Sequence, residues 1–245
     1  MERYHEIDIL KGIAVICMII FHFFYFPNQY GFKEIEYNTN TLKIIAKIAQ
    51  IIFIISVGIN LVFSYYNSKT NDDFKKKQLN RIIKLSFYAL GMSIFTYFLF
   101  DDKFVKFGIL HFIAFSSLIL LPFIHSEKIM KLLTIIFVII YILKIKKKEI
   151  FTFIPEKIAF ISGFYNRKYS SIDHFSLIPW IILISLGILL GHNLKENPIH
   201  FPEVMINNKV SDILKITGKY SLEIYAVHWV VLYFIFCIIY AKYIR

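Results

Sequence analysis

Several things are scarce or missing from this chain. Its 245 residues hold two cysteines, and 17 acidic side chains stand against 28 lysines and arginines. Cys17 and Cys237 both fall inside apolar runs, so they read as small buried hydrophobes, not as a disulfide or half of a metal site. No C-x-x-C or H-E-x-x-H spacing occurs, and no metal is expected. G-x-S-x-G is absent, which removes the hydrolases built on a nucleophile elbow. No P-loop, zinc-knuckle or RNP-type pattern accompanies the net charge of +11, so no nucleic-acid partner is expected.

What the chain has in excess is apolar text. Hydrophobic residues make up 57% of it and aromatic residues 18%, against about 45–50% apolar in ordinary soluble domains. The excess is gathered into runs of roughly 15–20 residues, the length of a membrane span. Lysines cluster between the runs, where they suit anionic headgroups. The expected fold is an all-α, polytopic membrane helix bundle forming a single domain over 1–245, with the lipid bilayer as its first partner.

Seven spans are expected: residues 9–26, 42–64, 82–100, 107–124, 130–143, 175–194 and 220–241. Pro27 ends the first. Polar loops are expected at 33–40, 65–78, 166–171 and from Lys195 to about Ile216. Residues 150–163 are apolar but short and carry Pro155, Glu156 and Lys157, which suits a re-entrant or interfacial piece. The charged head of the first span contains acids and no small-residue cleavage site follows, so the span is expected to be retained. The cluster from Lys75 to Arg81 places the N-terminus in the cytoplasm, although Lys144–Lys148 then falls on the wrong side. Composition leaves the membrane of residence and homo-oligomer formation open.

The chemistry-bearing residues sit in or beside these spans. On a helix of about 100° per residue, Asp8, Lys11, Val15, Met18 and His22 share one stripe. Lys11 and His22 differ by about 20° in direction and about 16 Å in height. An ionisable group that deep is a functional hypothesis by default; the plain alternative is a neutral histidine hydrogen-bonded to a neighbouring helix. His111, the Asp173-His174 pair, and Glu223 with His228 complete the set. Each has a structural reading too. His111 can serve packing, Asp173 can cap the sixth span, His174 and His228 can be interfacial, and Glu223 can pair with Lys219. Histidine is nevertheless the natural base for taking a proton from an amine or hydroxyl near neutral pH.

Five segments occur in an order that is informative: E-I-D-I-L-K-G-I-A-V-I-C-M-I-I-F-H-F (6–23), I-I-S-V-G-I-N-L-V-F-S (54–64), F-G-I-L-H-F-I-A-F-S-S-L (107–118), D-H-F-S-L-I-P-W with the later L-G-I-L-L-G (173–191), and G-K-Y-S-L-E-I-Y-A-V-H-W (218–229). Together they resemble the catalytic-domain family of heparan-α-glucosaminide N-acetyltransferase, its short microbial members above all, within a wider group of membrane acyltransferases. The resemblance implies transfer of an acetyl or other acyl group from acyl-CoA to a sugar-type acceptor. It places His22 at the first-span histidine of the microbial and acyltransferase-3 types, and Asp8 and Lys11 at a D-x-x-R/K-G opening whose basic residue meets a CoA phosphate or faces lipid headgroups. The lysosomal branch differs: it has Asn where His22 stands, and its active histidine lies in the next loop, which has none here.

The expected function is therefore an acyl-CoA-dependent membrane acyltransferase. His22 is the general base, and His111 or His228 orients it or stabilises the oxyanion. Asp8, Lys11, Asp173 and His174 are the expected binding residues. The rival is a non-enzymatic carrier or proton-coupled small transporter. No pair of broken spans in related halves supports it.

Overall fold

The computed structural model describes residues 4–29, 40–146, 151, 153–164 and 171–240. The expected loops at 33–40 and 166–171, apart from Asn40 and Ser171, lie outside the described residues, as do Lys147 and Lys148. Ten α-helices are described: α1 (His5–Gln29), α2 (Asn40–Tyr66), α3 (Asn71–Phe100), α4 (Ile109–Leu120), α5 (Glu127–Lys146), α6 (Glu156–Ser162), α7 (Leu177–Glu196), α8 (Glu203–Ile206), α9 (Lys209–Lys219) and α10 (Ser221–Tyr240). No strand occurs among the described residues, and the fold is all-α.

Among the described residues, five helices are long and apolar enough to cross a membrane: α1, α2, α3, α7 and α10. The other two expected spans are helical but do not reach that standard. α4 has 12 residues, extended by a 3-10 turn to Phe123. α5 carries Glu127, Lys128, Lys131, Lys144 and Lys146 within its 20 residues. Among the described residues of 150–163 the α-helix is the seven-residue α6, too short to span.

Three boundaries differ from expectation. Pro27 lies within α1, near its C-terminal end. α3 starts eleven residues before the apolar text, at Asn71. Thr70 Oγ1 accepts the N–H of Asp73 at 3.1 Å, and Asp72 and Asp73 complement the positive end of the helix dipole. The stretch expected to be loop up to Ile216 contains α9. Asn208 caps it by accepting the N–H of Ser211 at 2.9 Å, and polar and apolar residues alternate with helical period along it.

The chain forms two compact units, residues 1–56 with 199–245, and residues 57–198. In the first, α1 packs on α9 and α10. A Cβ on Gly12 would strike the carbonyl of Leu214, and one on Gly218 the carbonyl of Asp8, so the α1 and α9 backbones touch at two points one turn apart. In the second unit α5 and α4 pack on α7, and α3 on α4. Its fully buried side chains include Leu61, Leu85, Phe112, Met130, Ile181 and Ile188. The α2 backbone lies against α7 at Gly58, where Ile184 and Ile188 leave no room for a side chain.

Candidate active site

The first unit brings two histidines together that stand 206 positions apart. On α1, the Nδ1 of His22 lies 2.9 Å from the carbonyl oxygen of Met18, one turn earlier. On α10, the Nδ1 of His228 lies 2.6 Å from the carbonyl of Tyr225. Between the rings, His228 Nε2 and His22 Nδ1 are 3.3 Å apart.

A carbonyl oxygen can only accept, which fixes the protons. His228 Nδ1 carries its hydrogen and gives it to Tyr225, so the Nε2 of neutral His228 holds a lone pair. His22 Nδ1 then faces two acceptors, Met18 O and His228 Nε2, and is itself a donor. Neutral His22 is left with its lone pair on Nε2, and no described residue binds that atom. Aromatic rings frame the pair. Trp229 and Phe21 each stand 5.3 Å from His22 between centroids, and Phe26 packs on Trp229 at 4.8 Å. His228 is buried and His22 half-buried.

Asp8 and Lys11, on the expected stripe of α1, form an ion pair at 2.7 Å with side chains 6% and 14% exposed. Asp8 thus supplies the countercharge that a withdrawn ammonium requires.

In the second unit, the end of α3 clasps the segment before α4. Thr96 Oγ1 accepts the N–H of Val105 at 3.0 Å, and Ser93 Oγ donates to the Val105 carbonyl at 2.6 Å. His111 joins this network. Its Nδ1 accepts the N–H of Gly108 at 3.3 Å, so its Nε2 carries the proton and donates to Ser93 Oγ at 3.2 Å. Both ring nitrogens of His111 are thereby engaged.

Asp173 caps a helix, but not the one that follows it. Its Oδ2 accepts the N–H of Ile109, the first residue of α4, at 3.1 Å. Ser176 holds the cap position of α7, and its side chain makes no capping bond. Burial raises the Asp173 carboxyl to about 6, against the pull of the Ile109 hydrogen bond. His174 stacks on Phe160 at 4.3 Å and donates Nε2–H to its carbonyl at 3.1 Å. Burial pushes this imidazole below its usual value; the Phe160 bond opposes the shift and Lys144 adds to it.

A raised acid binds its proton more tightly in the folded state than in the unfolded one. Asp173 therefore makes stability fall as pH rises from about 4 to about 6. Asp173→Asn keeps an oxygen for Ile109 and removes the titration. Unfolding midpoints in detergent across pH 4–7 should slope downward in the parent more than in the variant; equal slopes would refute the assignment.

The sequence reading did not single out His192. It is buried in α7, donates Nε2–H to the carbonyl of Ile124 at 2.9 Å and accepts the Tyr66 hydroxyl at Nδ1, 3.2 Å away. It thus ties the ends of α2 and α7 to the turn that follows α4. Its signal was the same one that marked His22, an imidazole inside an apolar run.

The family model described as heparan-alpha-glucosaminide N-acetyltransferase, catalytic, matches residues 3–230. The chain belongs to this family. No curated protein and no solved structure matches it. The heparan-alpha-glucosaminide N-acetyltransferase match takes in both histidines of the first unit and every polar group described in the second. Taken with its five long apolar helices, it makes the chain an integral membrane protein of an acetyltransferase family, one whose co-substrate in general is acetyl-CoA. Among the described residues no group of three or more His, Cys, Asp or Glu side chains could hold a metal ion.

Proposed function

We propose that the protein transfers an acetyl group from acetyl-CoA or another acyl-CoA to a sugar-type acceptor, with His22 as general base. The observation that carries this is the directed pair of imidazoles, which leaves His22 Nε2 as the accepting nitrogen. As the acceptor amine or hydroxyl attacks the thioester carbonyl, His22 Nε2 takes its proton. The tetrahedral intermediate collapses, the C–S bond breaks, and the departing thiolate receives that proton from Nε2. In between, His22 is an imidazolium, and its Nδ1–H bond to His228 Nε2 strengthens because the donor is charged. His228 is thus a positioning residue that fixes the tautomer of His22, much as a carboxylate does in hydrolase triads.

The remaining roles are assigned within each unit. Lys11, held by Asp8, meets the phosphates of the acyl-CoA. In the second unit, Asp173 is a binding residue whose Oδ2 stays on α4 and whose Oδ1 is left to accept a polar hydrogen. His111 and His174 hold the segments on either side of it. The N-terminal end of α1 faces the cytoplasm, where acyl-CoA is made.

The test is transfer of labelled acetyl from acetyl-CoA to glucosamine-type acceptors by the protein in nanodiscs. His228→Leu should lower kcat by about tenfold or more with KM little changed. His228→Gln, whose amide oxygen can still accept from His22, should recover part of that loss. If the two variants are equally impaired, His228 does not act as an acceptor for His22.

A further inference from the structure

Near the start of α3, in the second unit, lies a group of polar side chains with unmet bonding capacity. Gln78 is only 2% exposed. Its amide donates to Ser64 Oγ at 2.6 Å, and its Oε1 is buried without a hydrogen-bond partner. Arg81, one turn on, is half-buried and makes neither an ion pair nor a hydrogen bond with any described residue. Asp72 and Asp73, in the first turn of the same helix, are not paired with it. Lys77 is exposed and lies four residues before Arg81, and Gln78 lies three before it, so each is one turn from Arg81 along the helix. Ser64 accepts from Gln78 and keeps its own hydroxyl proton to give.

A half-buried guanidinium with no carboxylate, one turn along the helix from a buried amide oxygen with no donor, is costly in isolation. Both deficits are met by one kind of ligand: an anion with a hydrogen-bond donor close by. Arginine's planar fork suits two oxygens of one phosphate, and lysine adds a point charge.

The geometry points to a phosphate-binding subsite in which Arg81 and Lys77 hold phosphate oxygens and Gln78 Oε1 takes an adjacent hydroxyl or amide hydrogen. Two sources share that chemistry. Coenzyme A carries phosphates with pantetheine amides, and phosphatidylglycerol carries a phosphate with glycerol hydroxyls. The subsite stands on the second unit alone and does not depend on the histidine pair.

The experiment uses the full chain. Coenzyme A is titrated calorimetrically into protein in phosphatidylcholine nanodiscs, and retained phosphatidylglycerol is counted by native mass spectrometry after exchange into mixed lipid. Arg81→Gln should weaken one of the two at least tenfold, and the ligand affected names the source. Arg81→Lys, which keeps the charge and loses the fork, should fall between, and it serves as the reading should Arg81→Gln fail to fold. Gln78→Leu should weaken the same ligand. Lys76→Gln, an exposed neighbour, should change it less than twofold. The subsite is refuted if the Arg81 variants alter neither ligand, or if Lys76→Gln weakens binding as much as Arg81→Gln does, since diffuse surface charge would then suffice.

Discussion

Replacing His22 by alanine is expected to lower acetyl transfer by about a hundredfold to ten-thousandfold, the usual worth of a positioned general base. The loss should lie in kcat, because the imidazole acts on a proton that moves only as the acceptor attacks. Binding of acetyl-CoA should be nearly unchanged. The structural argument is the proton inventory of the pair. The Tyr225 carbonyl forces the His228 tautomer, the Met18 carbonyl and His228 Nε2 force that of His22, and one lone pair remains on His22 Nε2. Two measurements check it: turnover with labelled acetyl-CoA, and the thermal midpoint of the variant in detergent. A stable variant with full turnover would remove His22 from the chemistry.

Gly58→Val should be the most damaging single change to the second unit. A Cβ there meets the carbonyl of Ile184, the amide of Ile188 and the carbonyl carbon of Gly187, all of them backbone atoms. No rotamer change relieves such a contact, so α2 and α7 must separate. Overpacking typically costs about 1–3 kcal/mol and more when backbone must move. Gly91→Ala is the internal control. A Cβ there has nothing within 4 Å, and alanine favours the helix by about 0.5–1 kcal/mol over glycine. Fluorescence-detected size exclusion after graded heating should show loss of the monodisperse peak at markedly lower temperature for Gly58→Val, and no loss or a small gain for Gly91→Ala. Equal behaviour would mean that the α2–α7 contact is loose.

Local pattern made part of this molecule legible. A stripe of ionisable residues on a long apolar helix is a property of one segment, and α1 carries it as expected, with Asp8 and Lys11 paired. α9 was missed because its apolar positions are few and lie among lysines, so mean polarity read as loop. Its helical period and its Asn208 cap were the better signals. Asp173 was open to reading as a cap for the helix after it, which is the commoner sequence logic. The structure hands its carboxylate to the N–H of Ile109 instead, 64 positions earlier. His111 carried no sign of which way its protons point, since that depends on Gly108 and on Ser93 from another helix.

Composition and hydrophobic run length were enough by themselves to decide that this is an all-helical membrane protein, and five ordered segments were enough to indicate its family. Both follow from short-range regularities, because burying backbone in lipid demands long apolar helices whatever they pack against. Only the tertiary structure decided that His22 meets His228, that His22 keeps its lone pair on Nε2, and that Arg81 and Gln78 lie in the second unit with their bonding unmet. Those facts depend on which helix faces give up side-chain volume, as at Gly12, Gly58 and Gly218, and so on contacts between residues far apart in the chain.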